Sequence, residues 1–176
     1  MHESAASITD VLRPLGDTIL PRWEACASAL RATGRAAPQA WHTAAEFHYR
    51  SDRPAPLHGD LSFANLARRP DGTLIMFDAS ALLGPKEFDA ARWSARLAIA
   101  GMSPLDVFAR WCSTEAIDAS TAYELLGVEC VLEAGSLEVQ RLQRRSSSLT
   151  PHAIDPLQYV DAAIDNLIHT AHSLLG

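Results

Sequence analysis

Residues 56–80, "PLHGDLSFANLARRPDGTLIMFDAS", decide how the chain is to be read. The tripeptide "PDG" at 70–72 is a turn signal between two short runs, "LARR" (66–69) and "TLIMFD" (73–78). These read as two strands of a tight hairpin, expected to be buried. Around that hairpin the chain sets His58, Asp60, Asn65 and Asp78, and "DLSFAN" between the extended pieces reads as irregular. Asp and Asn often do no more than satisfy backbone groups in turns. The alternative is that they are gathered to do chemistry.

The rest of the chain limits the choice. Its 176 residues suit a single domain able to bury roughly 70% of its unfolded surface. A hydrophobic content of 48% with 20% charged residues is that of a globular protein rather than a disordered one. A net charge of −6 argues against a nucleic-acid binder or a binder of anionic membranes. It suits a cationic small-molecule partner, and equally a protein kept soluble by its charge. Cys26, Cys112 and Cys130 are widely spaced and form no CxxC pair, so neither a disulfide framework nor a zinc site is expected. The N-terminal "MHESAASITDVLRPLGD" lacks the pattern of a secretory signal, and no apolar run approaches ~20 residues, so a cytoplasmic location is expected.

Outside the hairpin the pattern is helical. Residues 6–33 read as a helical pattern interrupted at Pro14 and Pro21, with Gly34 as a stop. Trp41, Ala44, Ala45 and His48 fall at helical spacing, and Pro54 and Pro56 cannot continue that helix. "PLHG" reads as an extended piece. Residues 85–101 form a helix between Pro85 and Gly101, and 103–115 a shorter one with Ser103 as its cap. Residues 118–146 are one long helix, or two joined near Gly135. A loop is expected over 146–153 and an amphipathic helix over 155–175. The fold class is therefore α+β and predominantly helical, with one small hairpin.

Asp60 and Asn65 are spaced as phosphoryl transfer from ATP would use them. A protein-kinase catalytic loop runs His-Arg-Asp, four residues, then Asn; here Gly59 replaces the Arg. In such a loop the Asp orients the acceptor hydroxyl and takes its proton. The Asn amide oxygen, with an Asp after the next apolar strand, holds Mg²⁺ on the phosphates. Asp60, Asn65 and Asp78 occupy those three places. Mg²⁺ takes oxygen ligands and few of them from protein.

The strings "LHGDLSFAN" and "IMFDASALLGPKEFDAA", residues 57–65 and 75–91, resemble the aminoglycoside phosphotransferase family, relatives of choline kinases and, distantly, of protein kinases. "DASALLGPKEFD" further resembles the branch that acts on streptomycin-type antibiotics and hydroxyurea. The resemblance implies the C-terminal lobe of a protein-kinase-like fold, with the hairpin beside the catalytic loop. It implies ATP and Mg²⁺ as cofactors, and a small-molecule hydroxyl acceptor such as a cationic antibiotic. Asp60 matches the catalytic Asp, and Asn65 and Asp78 the metal- and nucleotide-binding pair. His58 matches the loop-supporting His, and Asp89 the Asp that braces the loop from the following helix. Ser62 and Ala64 depart from the His and Gly frequent among relatives. Glu124, Glu129, Glu133 and Glu138 are the acidic type that holds cationic antibiotics in the family, and read equally well as a solvated helix face; they are left outside the site.

A kinase of this kind also has an N-terminal lobe with a β-sheet, a nucleotide-covering loop and a phosphate-pairing Lys. The residues before His58 read as helices and contain no Lys; Lys86, the only lysine, follows the metal Asp. The expectation is a C-terminal lobe spanning 1–176 with the N-terminal nucleotide lobe absent, and self-association through the surface that would face it. Two functions stay open: a phosphotransferase acting on an alcohol group, or a truncated, non-catalytic kinase-like binding or interaction protein.

Overall fold

The computed structural model describes residues 12–35, 37–114, 117, 119–146 and 157–176. Two-residue β1 (Arg13–Pro14) leads directly into α1 (Leu15–Ala32), for which Pro14 is a suitable point of departure because its φ of −57° is already helical. Pro21 lies inside α1 and does not interrupt it, unlike the break expected there. A helix-interior proline costs about 3 kcal/mol. The buried face of Leu15, Ile19, Trp23, Cys26, Ala27 and Leu30 runs through it and offsets that cost. Burial of each large apolar side chain contributes about 1.5–3 kcal/mol. In α2 (Gln39–His48), Trp41, Ala45 and His48 are buried and Ala44 half-buried, as the spacing predicted.

The extended piece expected at "PLHG" is β2 (Ala55–Leu57). Its partner is β5 (Leu82–Gly84), antiparallel with Leu57 opposite Leu82, and β5 in turn pairs in parallel with β1. Strands of two and three residues are too short to carry a period, so β1 and β5 escape a reading by pattern. The hairpin is β3 (Leu66–Arg68) and β4 (Leu74–Met76), with Leu66 opposite Met76. Gly72 closes its turn at φ +89°. The hairpin is not buried: Leu74 is 65% exposed, Met76 59% and Phe77 46%. Its main contacts among the described residues are between its own two strands.

Beyond the hairpin the chain is helical. α3 (Phe88–Arg96) continues as a 3₁₀ turn (Leu97–Ala100) and stops at Gly101, which is left-handed at φ +75°. α4 (Pro104–Thr114) begins where Ser103 Oγ accepts the Asp106 N–H at 3.3 Å, the expected cap. α5 (Ala119–Ser146) is a single helix, unbroken at Gly135. A Cβ at Gly135 would lie 2.4 Å from Cys26 Cβ and 2.6 Å from the Cys26 carbonyl, so this glycine is where α1 and α5 come together. α6 (Leu157–Leu175) is the terminal helix; beyond Ser146 the loop expected over 146–153 lies outside the described residues.

α5 is the central element, packed against α1, α3 and α6. Its Leu126, Val131 and Ala134 join Trp23 and Leu30 of α1, Phe88 and Ala91 of α3, and Ile164 and Leu167 of α6 in one buried cluster. The three cysteines are free. Among the described residues no helix is long and apolar enough to cross a membrane.

Candidate functional site

β2 delivers the chain to the loop at His58. Gly59 is left-handed at φ +74°, and a Cβ there would meet Leu82 Cδ1 at 2.7 Å, so glycine is required on both counts. Two consecutive amides then point at one carboxylate in the first turn of α3. Asp89 Oδ2 accepts the His58 N–H at 2.7 Å, and Oδ1 accepts the Gly59 N–H at 2.8 Å. An acidic residue at a helix N-terminus is favoured in any case, and here it also anchors the loop.

Asn65 ends a 3₁₀ turn (Phe63–Asn65) and is buried. Its Nδ2 donates to the Asp60 carbonyl at 2.8 Å and to Asp60 Oδ2 at 3.2 Å. Both hydrogens of the amide are thereby directed to Asp60, which leaves Oδ1 as the atom not engaged within the loop.

The segment after β4 is stitched to the same loop at three points. Phe77 N–H donates to the Asn65 carbonyl at 3.1 Å, His58 Nε2 donates to the Phe77 carbonyl at 2.9 Å, and Ser80 N–H donates to the His58 carbonyl at 2.7 Å. Because a carbonyl only accepts, His58 carries its proton on Nε2. Asp78, between those bonds, is exposed and left-handed at φ +59°, and Ala81 follows at φ +51°. Such backbone is uncommon outside glycine and costs of order 1–3 kcal/mol when strained. The stitching holds it in place. The structure thus joins Asp60 to Asn65 directly, His58 to Asp89 through the backbone, and Asp78 to the loop through its neighbour Phe77.

Asn65 Oδ1 and the Asp78 carboxylate, which flank the open end of the hairpin, are oxygens of the type a hard divalent cation takes. Among the described residues no group of three or more His, Cys, Asp or Glu is arranged to hold a metal.

Arg96 is the site residue that sequence reading misses. Its Nη2 donates to Asp60 Oδ1 at 2.9 Å, its Nη1 donates to the Leu61 carbonyl, and its Nε lies 3.9 Å from Glu133 Oε2. Burial alone would raise the Asp60 pKa. The hydrogen bond and charge of Arg96, with Arg92 and the Asn65 amide, outweigh it and hold the carboxyl below the ordinary aspartate value. A signal existed: Arg96 follows Asp89 by seven residues, two turns along the same side of α3.

The acidic residues of α5 are not a solvated face. Glu129 is buried, accepting from Tyr49 Oη at 2.6 Å and from Arg92 Nη1 at 3.5 Å. Burial pushes its pKa up, and Arg92 and Tyr49 only partly counter the rise. Glu138 is buried between Arg35 and Arg141. Glu133 is largely covered and faces Arg96, while Glu124 alone is well exposed, at 2.9 Å from His48 Nε2. Lys86 is exposed at the start of the α3 segment, 3.7 Å from Glu87. These contacts are what the chain offers toward identification: no protein family, curated protein or solved structure matches it.

Proposed function

We propose that the chain carries the catalytic loop of a phosphotransferase that moves the γ-phosphoryl group of ATP to an alcohol of a small molecule, as its resemblance to aminoglycoside phosphotransferases and to the C-terminal lobe of kinases implies. The reading is carried by one observation. Asp60, Asn65 and the Asp78 segment are bonded into a single unit, braced from α3 by Asp89 and Arg96.

The acceptor oxygen attacks the γ-phosphorus in line. A new O–P bond forms, the bond from phosphorus to the β–γ bridging oxygen breaks, and ADP leaves with that electron pair. The hydroxyl proton passes to the Asp60 carboxylate. With its pKa held low, Asp60 stays ionised and orients the hydroxyl, and it accepts the proton only as the O–P bond forms. Asn65 and Asp78 would hold Mg²⁺, which neutralises phosphate charge when bound. A cationic antibiotic is one acceptor of the expected class.

The second reading, a kinase-like protein that binds without transfer, is favoured by the ion pair that already engages Asp60 with Arg96. Mn²⁺ uses the same oxygen donors and broadens nearby NMR signals. In the presence of ATP it is expected to broaden the Asn65 side-chain amide and the Asp78 amide, and Asp78→Ala is expected to abolish that effect. Unbroadened signals in the parent protein would remove the metal assignment. Broadening without phosphate transfer to any alcohol would select the second reading.

A further inference from the structure

The β3–β4 hairpin is a sheet of two strands, so β4 has an edge to which, among the described residues, no strand is paired. Which backbone groups that edge presents follows from the ladder. The bonds that flank it join Phe77 N–H to the Asn65 carbonyl and Arg69 N–H to the Thr73 carbonyl, in the register that sets Ala67 opposite Ile75. Bonded and non-bonded pairs alternate along an antiparallel ladder, so residues 73, 75 and 77 turn their backbone groups to β3. The N–H and C=O groups of Leu74 and Met76 therefore point to the open side. Both residues are open as a whole, Leu74 65% and Met76 59% exposed. The outer edge of β3 is not equivalent, because its Leu66 N–H is already bonded to the Phe63 carbonyl.

An edge with open donors and acceptors is a template for another strand. The strand that fits it best is β4 of a second copy. Residues 73–77, "TLIMF", carry no charge and no proline, so two such edges meet without repulsion. An antiparallel pair centred on Ile75 is self-complementary. Leu74 of each copy faces Met76 of the other, and the outward N–H of one donates to the outward C=O of the other in both directions. Leu74 and Met76 share one face of the strand, so the side chains of the two copies close into a single apolar stripe across the junction. The ends then match in charge. Gly72 of one copy comes opposite Asp78 of the other, and the Arg68 guanidinium reaches over Gly72, its Nη2 3.4 Å from where a Cβ would stand. Arg68 and Asp78 are both exposed. Asp71, the acid in the same turn, is directed to the Thr73 N–H at 2.9 Å.

We propose that the outer edge of β4 is an interaction surface for a second copy of this chain, the two strands joining antiparallel about Ile75 into one intermolecular sheet. The inference does not depend on the phosphotransfer reading. Sedimentation velocity locates the concentration range of association, and amide hydrogen exchange is then followed by NMR below and above it. The Leu74 and Met76 amides are expected to exchange freely in the dilute protein and about tenfold or more slowly in the concentrated one. A mixture of ¹³C-labelled and unlabelled chains is expected to show an intermolecular NOE between the Ile75 Hα protons, which face each other as a non-hydrogen-bonded pair. Leu74→Pro removes an outward N–H and no bond to β3, and is expected to abolish association, whereas Leu74→Ala, which keeps the amide, is expected only to weaken it. Arg68→Glu, which reverses the charge set opposite Asp78, is expected to weaken it several-fold. A parent chain that is monomeric at every concentration overturns the inference and leaves the edge to a strand of another protein. Association that leaves the Leu74 and Met76 amides unprotected, or that Leu74→Pro does not reduce, overturns it by assigning the contact to another surface. Exchange and NOE are read on the parent chain, so they decide the matter even if the proline variant does not fold.

Discussion

At Asp60, burial favours the neutral acid, and the Arg96 guanidinium at 2.9 Å favours the carboxylate and prevails. The sign of the linked stability follows. A depressed folded-state pKa stabilises the protein above the unfolded-state value, and that contribution is lost as pH falls through the folded-state value. Arg96→Met is expected to raise the Asp60 pKa, read by ¹³C NMR titration of its carboxyl, and to flatten this acid-side loss of stability. An unmoved titration would mean that Arg96 does not control the charge of Asp60. The partnership of Asp60 with Asn65 was legible because five residues separate them and one loop joins them. That with Arg96 spans 36 residues and was not.

Between elements, α5 meets α1 at Gly135 and α3 at Glu129. Gly→Ala in a helix interior normally gains up to ~1 kcal/mol in propensity. At Gly135 the added Cβ would press on the backbone of Cys26, which has nowhere to move. Overpacking of this kind costs about 1–3 kcal/mol, so Gly135→Ala is expected to lower the urea midpoint. An increase would show that the α1–α5 contact is loose. Across the α3–α5 contact, Arg92→Met would leave Glu129 buried without its cation, a loss of about 3–5 kcal/mol. Because the Glu129 pKa is already raised, its linked stability is full below the unfolded-state value and declines as pH rises through the folded-state value. The Arg92→Met defect should therefore shrink in acid, where Glu129 is protonated; denaturant unfolding at several pH values measures this. A pH-independent defect would mean that Arg92 acts by packing alone.

Over the whole molecule, the helices bury a continuous core while the hairpin side stays apolar and open. Phe63, Leu74, Met76 and Phe77 are all exposed. Exposed large apolar side chains are available for association with another surface. The chain is expected to self-associate with rising concentration in sedimentation velocity, and the pair Leu74→Ser and Met76→Ser to return it toward monomer. A monomer at all concentrations in the parent would show that this face does not bind its own kind.

Local chemistry determined a good part of this protein. "PDG" places the hairpin turn, Ser103 and Gly101 punctuate their helices, and the loop containing Asp60 and Asn65 closes on itself. Each of these depends on atoms within a few residues, where spacing and residue type are sufficient. Tertiary packing decided the rest. It carried α1 through Pro21 and α5 through Gly135, paired β5 with β1 and β2, left the hairpin exposed, buried Glu129 and Glu138, and set Arg96 on Asp60. Those outcomes turn on which surfaces meet across long stretches of chain, and burial there outweighs the local preferences that a sequence displays.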